Sequence, residues 1–241
     1  MKTTGEYASE YQARGWSVIP IEPRGKRPLV SWTGYQRRTA SEEEVRAWWT
    51  RWPDANIGIV TGRVSGIVVV DVDGTAGSGS LRNRAIPPTV VCATGRGHHY
   101  YFAHPGFNVA NRTHLLPGVD VRGEGGYVVA PPSTHENGKQ YAWGQDSSPQ
   151  DEELARVPDW LAQLWRTDNL STELVAGVAE GERNVAAARL AGKFLSRGFS
   201  ARETFAWLLL WNARNKPPLD VKELARVVRS IASREAKRIL R

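Results

Sequence analysis

From Asn56 to Gly144 the chain repeats one kind of segment, a short β-rich run closed by Gly, Pro or Asn: "NIGIVTG", "GIVVVDVDG", "TVVCATG", "HHYYFA", "GVDVRG", "GYVVAPP" and "KQYAWG". β-branched and aromatic runs punctuated by turn residues build a sheet. From Glu182 onward that pattern stops and only helical periods remain. The chain is therefore expected to be α+β: a mixed β-sheet domain with packed helices, followed by a small all-α bundle.

The helices on either side carry their own signals. A short helix is expected around Tyr7 to Ala13, then the strand "WSVIPI" and the loop "EPRGKRPLVSW". Ser41 and Glu44 form an S-x-x-E capping box before Val45, Trp48, Trp49 and Trp52, whose i, i+3, i+4, i+7 spacing makes one core-facing stripe. Downstream, Ala187, Leu190, Ala191, Phe194 and Leu195 form a stripe closed by Gly198. Ser200 and Glu203 cap a second helix carrying Thr204, Trp207, Leu208 and Trp211, and Asp220 with Glu223 opens a third carrying Leu224, Val227, Val228 and Ile231. The expected division is 1–165 for the sheet domain, 166–180 for a linker and 181–241 for the bundle.

Charge separates the same two parts. Residues 181–241 hold 14 Lys and Arg against 5 Asp and Glu, a balance of +9, whereas residues 1–180 carry −2. A basic unit beside a nearly neutral one suits an acidic polymer such as nucleic acid, and it also suits a solvated Arg-rich helical surface. On the last helix Lys222, Arg226, Arg229 and Lys237 share the face away from the apolar stripe and are the candidate DNA contacts. No apolar stretch approaches the ~20 residues of a membrane span, and the N-terminal residues lack the apolar core of a secretory signal. One cysteine, Cys92, reads as a core strand residue, allows no internal disulfide and, with no C-x-x-C pair, provides no zinc site. A cytoplasmic location is expected, and any metal should be held by carboxylates.

Three segments carry the chemistry. In "GIVVVDVDGT", Asp71 and Asp73 leave one strand face while Val72 faces the other way. Adjacent carboxylates repel unless a cation or proton lies between them, which suits Mg²⁺ or Mn²⁺, although a strand ending in a polar turn gives the same letters. In "TGRGHHYYF", Gly95 and Gly97 would let backbone amides reach a phosphate beside Arg96, with His99 and Tyr101 on one strand face. A hairpin turn with aromatic core residues is the alternative. In "GVDVRGEGGYVVAPPS", Asp120 and Arg122 share a face, either as a third carboxylate with a phosphate-binding cation or as a surface ion pair, and Glu124 reads as solvated. His104, His114 and His135 read as loop residues.

The order D-x-D, then a Gly-rich turn leading into H-x-Y-F, then G-V-D-x-R-G-x-G-G-Y-x-x-x-P-P-S resembles the primase-polymerase family of the archaeo-eukaryotic primase superfamily. The likeness covers roughly residues 5–160, including "KRPLVSW" and "NIGIVTG". The tail, with "GERN", "NARNKPPL" and "SIASRE", is similar to the primase C-terminal helical domain. The resemblance implies that Asp71, Asp73 and Asp120 ligate two Mg²⁺ or Mn²⁺ ions. It also implies that Asp71, Asp73, Asp120 and His99 are catalytic, and that Thr94, Gly95, Arg96, Gly97, His99 and Arg122 hold the nucleotide. It implies a single-stranded DNA template, NTP or dNTP substrates, a replicative helicase in cis or in trans, and a phage, plasmid or mobile-element setting.

Two departures stand out. Arg96 occupies a position where such relatives often carry Gly, which bears on nucleotide affinity or sugar choice. No zinc-binding Cys/His set is present, unlike in some relatives, so any start-site preference must come from elsewhere. In addition, no P-loop G-x-x-x-x-G-K-[ST] is present, so no helicase is expected in this chain, and a fragment of a longer replication protein fits. The rival expectations are a non-catalytic replication-initiator or ssDNA-binding module, and a metal-dependent nuclease. The nuclease gives no reason for the Gly-rich turn and His99 beside the aspartates.

Overall fold

The computed structural model describes residues 2–167 and 177–239. The expected linker over 166–180 therefore lies mostly outside the described residues. The chain divides into two compact units, Met1–Pro105 with Val109–Pro158, and Gly106–Asn108 with Asp159–Arg241. The first contains α1 (Thr4–Ala13), β1 (Ser17–Ile21), a 3-10 turn (Thr33–Gln36), α2 (Glu42–Arg51), β2 (Asn56–Val60), β3 (Ile67–Asp73), α3 (Gly74–Leu81), β4 (Val91–Ala93), β5 (Gly97–Ala103), β6 (Arg112–Leu116), β7 (Val119–Arg122), β8 (Tyr127–Ala130) and β9 (Ala142–Trp143). The second contains α4 (Asp159–Thr167), α5 (Arg183–Ser196), α6 (Ala201–Asn212) and α7 (Val221–Ile239). The class is α+β, as the sequence requires.

The strands form two antiparallel sheets, β1-β2-β8 and β6-β7-β3-β5-β4-β9. Ile19, Ile57 and Ile59 of the small sheet join Val69, Cys92 and Tyr101 of the large one in a single core. Tyr11 of α1 with Val45 and Trp49 of α2 complete it, and Trp48 and Trp52 pack on its margin. Both helices start at full capping boxes, Ser41 with Glu44 as expected and Thr3 with Glu6 in addition. Helix α3 was not anticipated, because "GTAGSGSL" is poor in helix formers. Its glycines answer a packing need: a side chain at Gly77 would meet the Gly118 carbonyl and Val72, so only a bare helix face lies that close to β3.

In the second unit Ala187, Leu190 and Phe194 pack with Leu208, Trp211, Leu224 and Val228. Asn212 explains the "NARNKPPL" turn. Its buried amide donates to the Leu219 carbonyl and accepts from the Leu219 N–H, both at 2.8 Å, which fixes the route from α6 into α7. Trp207 departs from the expected core stripe. It is 40% exposed, with its ring stacked over Phe194 at 6.3 Å.

Candidate active site

Strand β3 lies between β5 and β7, and the register sets Asp71 opposite His99 on one side and opposite Asp120 on the other. Directly opposed residues of antiparallel strands share a face with Cα atoms ~5 Å apart, so Asp120, Asp71 and His99 form a row across three strands. Asp73, two positions on, faces Gly97 and is exposed at the start of α3, where its side chain makes no capping bond. The D-x-D pair thus has one half-buried and one solvent-facing member.

Asp71 is tied to the row electrostatically. The His99 Nε2 lies 3.4 Å from the Asp71 Oδ1, and the His99 Nδ1 is buried without a hydrogen-bond partner among the described residues. Burial pushes the Asp71 carboxyl up, but His99, Arg122 and Lys26 outweigh it and hold the group below its ordinary value. It is an anion at neutral pH. Asp120 is already engaged: its Oδ2 accepts from the Arg122 guanidinium at 3.1 Å and its Oδ1 from the His114 N–H at 2.9 Å. His114 belongs to β6 rather than to a loop and reaches this position through a left-handed backbone, φ 57°.

Asp71, His99 and Arg122 line one cleft of about 310 Å³, together with Lys26, Trp32, Tyr127 and Tyr141. Asp73, Asp120 and the 94–97 turn do not line it. Lys26 and Trp32, the two ends of "KRPLVSW", had no local signature beyond that likeness, and Tyr141, from a loop far along the chain, had none. Trp32 and Tyr127 meet edge to face at 4.9 Å and form an aromatic wall beside the cations.

The Gly-rich turn differs from a free phosphate cradle. The amides of Arg96 and Gly97 donate to the Thr94 hydroxyl at 3.2 and 2.9 Å, so Thr94 already occupies them. Where side chains would project, Gly95 lies against the buried ring of His135 and Gly97 against the Val72 carbonyl. His135 thus packs under the turn instead of lying in an open loop. Arg96 pairs with Glu136 at 2.9 Å with both side chains exposed.

Among the described residues no group of three His, Cys, Asp or Glu is placed to hold a metal ion. The donor chemistry nevertheless suits a hard divalent cation: three carboxylates at adjacent positions on one sheet face, one of them with a depressed pKa.

Glu124 is not solvated as expected. Its carboxylate meets the His104 Nε2 at 2.7 Å and accepts from the Arg63 N–H at 3.2 Å. Burial pushes its pKa up, but these bonds and the nearby charges outweigh that and lower it from 4.5. A depressed acid stabilises the fold above its unfolded pKa and loses that contribution as pH falls through the folded one. Glu124→Gln should therefore lower Tm at pH 7 by a few degrees, roughly 1 kcal/mol, with the difference from native closing below pH ~4 in thermal melts.

All four candidate DNA contacts, Lys222, Arg226, Arg229 and Lys237, are exposed on α7, opposite buried Leu224 and Val228. No helix among the described residues is long and apolar enough to cross a membrane.

Two family models match the chain: "Bifunctional DNA primase/polymerase, N-terminal" over residues 8–160, and "Primase C terminal 1 (PriCT-1)" over residues 171–237. No protein of curated function matches it. Together the two domains make this a replication protein of the primase-polymerase class, which implies DNA and nucleotides as substrates. The chain belongs to the bifunctional DNA primase/polymerase family.

Proposed function

We propose that the chain is a template-directed nucleotidyltransferase that synthesises and extends primers on single-stranded DNA. The observation that carries this is the row of Asp120, Asp71 and His99 across β7, β3 and β5 beside a nucleotide-sized cationic cleft. Asp71, Asp73 and Asp120 would hold two Mg²⁺ or Mn²⁺ ions, which lower the pKa of an attacking 3′-hydroxyl and offset charge on the leaving group. His99, Arg122 and Lys26 bind the triphosphate, with Trp32 and Tyr127 walling the nucleoside. The 3′-oxygen bonds to the α-phosphorus, the α–β P–O bond breaks, pyrophosphate leaves with the electron pair, and the hydroxyl proton passes to water. The setting we favour is a phage, plasmid or mobile-element replication protein working with a helicase.

The test is labelled-nucleotide incorporation on unprimed and primed single-stranded DNA with Mg²⁺ or Mn²⁺. Products from unprimed template establish priming, and extension of primed template alone makes this a polymerase. A second reading, a DNA- or nucleotide-binding module without catalysis, has one observation in its favour: both Asp120 oxygens are already occupied by protein donors. DNA binding without incorporation in Mn²⁺ would decide for it.

The α7 face is proposed to hold template phosphates. Replacing Lys222, Arg226, Arg229 and Lys237 with Gln should weaken single-stranded DNA binding and flatten its log–log salt slope by up to about 3, at ~0.7 per lost contact. An unchanged slope in fluorescence anisotropy titrations removes this face from the template path.

A further inference from the structure

Asn111, immediately ahead of β6, contributes an amide side chain to the lining of the Asp71 cleft. An asparagine amide has an acceptor oxygen and two N–H donors. Here the Oδ1 accepts from the Gly123 N–H at 2.9 Å, and the Nδ2 donates to the Glu124 carbonyl at 2.8 Å. Both ends of the amide are thus fixed on two consecutive residues, which sets the direction of the second Nδ2 hydrogen. Among the described residues the Nδ2 makes that one bond, so a donor is left over on an exposed side chain at the cleft. Gly126 makes room for the arrangement, since a side chain there would meet the Asn111 Oδ1.

The loop that holds Asn111 is built from Gly123, Glu124, Gly125 and Gly126. Glycine has the greatest backbone freedom of any residue, so this loop can be fixed by side-chain contact only through Glu124. The Glu124 carboxylate meets the His104 Nε2 and the Arg63 N–H as described above, and its own N–H donates to the Val109 carbonyl at 2.7 Å. A side chain at Gly62 would meet the same carboxylate, so the turn after β2 closes directly on it. The Thr61 hydroxyl adds a bond to the Gly123 carbonyl at 2.7 Å, and the Gln36 Nε2 one to the Gly125 carbonyl at 3.1 Å.

We infer that Asn111 is a nucleotide-binding residue of the Asp71 cleft and that Glu124 is the residue that positions it. The remaining Asn111 N–H donates to a phosphate oxygen of the bound nucleoside triphosphate, alongside the cations Arg122 and Lys26 that line the same cleft. Phosphate oxygens only accept, which matches the donor left over on Asn111. This rests on the primase-polymerase reading above. Glu124 does not touch the nucleotide. It keeps a glycine loop in one arrangement, so the donor is in place before the ligand arrives and less freedom is lost on binding.

The test is equilibrium dialysis of labelled ATP with Mn²⁺, beside steady-state incorporation and thermal melts, on the full chain. Asn111→Ala should weaken ATP binding and raise the nucleotide KM by ~10-fold, with kcat within ~3-fold of native. Glu124→Ala should weaken binding by ~5-fold through KM, and Glu124→Gln, which keeps the shape and one acceptor oxygen, should recover most of that loss. The chain carrying both Asn111→Ala and Glu124→Ala should bind no more than ~2-fold worse than Asn111→Ala alone, because a residue that acts through another then has nothing to position. Losses that multiply in the double variant would overturn the inference, as would unchanged ATP binding in Asn111→Ala or a loss confined to kcat. Asn111 is exposed, so its variant keeps the binding claim testable even if Glu124→Ala fails to fold. A native chain that binds ATP but incorporates none would defeat the functional reading instead, and the dialysis series would still decide whether Asn111 and Glu124 hold the nucleotide.

Discussion

Asp71→Asn is expected to lower nucleotide incorporation by ~10³-fold or more while leaving the fold nearly intact. Asp71 is the central member of the row: it faces His99 on β5 and Asp120 on β7, and it lines the cleft. Asn keeps the shape and can still hydrogen-bond His99, but it removes the anion that a metal or a developing charge requires. The strand itself depends on backbone pairing and on Val68, Val70 and Val72, which are buried on the opposite face. Tm should therefore move by only a few degrees. Incorporation rates measured beside thermal melts check both halves. Activity within ~10-fold of native in a folded variant would remove Asp71 from the chemistry. Asp73→Asn, at an exposed position outside the cleft, should fold at least as well, and it tests whether the second aspartate of the D-x-D pair acts with the first.

What the sequence made legible was local. Period-two runs and Gly turns gave the strands of the large sheet, and Ser41 and Ser200 marked two helix starts because a capping box is complete within four residues. The pairing of motifs was legible only through their order, since nothing in "GIVVVDVDGT" says that its neighbours are β5 and β7. The cleft was the least readable part. Lys26 and Trp32 share one loop while Tyr141 comes from another far along the chain, and each alone resembles an ordinary surface or core residue. The Glu124–His104 contact was hidden likewise, because its partners stand 20 residues apart with strands β6 and β7 between them. The turn at 94–97 stayed open in the sequence: glycine there reads equally as room for a ligand or room for protein, and the structure sets His135 and β3 against it.

Gly97→Ala separates those two uses of glycine. A methyl group at Gly97 would collide with the carbonyl of Val72, a backbone atom of β3 that cannot rotate away as a side chain would. β3 and β5 pair along seven positions from Ile67 to Asp73, so the collision must part or shift the end of that ladder where Asp71 and Asp73 lie. The cost should be about 3–5 kcal/mol, the range of severe overpacking, which lowers Tm by roughly 10 °C for a unit of this size. Incorporation should fall with it, because a shifted ladder moves Asp71 relative to His99. Gly95→Ala presses on the His135 side chain instead of on backbone, so its effect should be smaller. Were Gly97 present to admit a phosphate, Ala would leave Tm unchanged and raise only the KM for nucleotide. Differential scanning calorimetry beside steady-state kinetics distinguishes the two, and an unshifted melt would return Gly97 to the ligand.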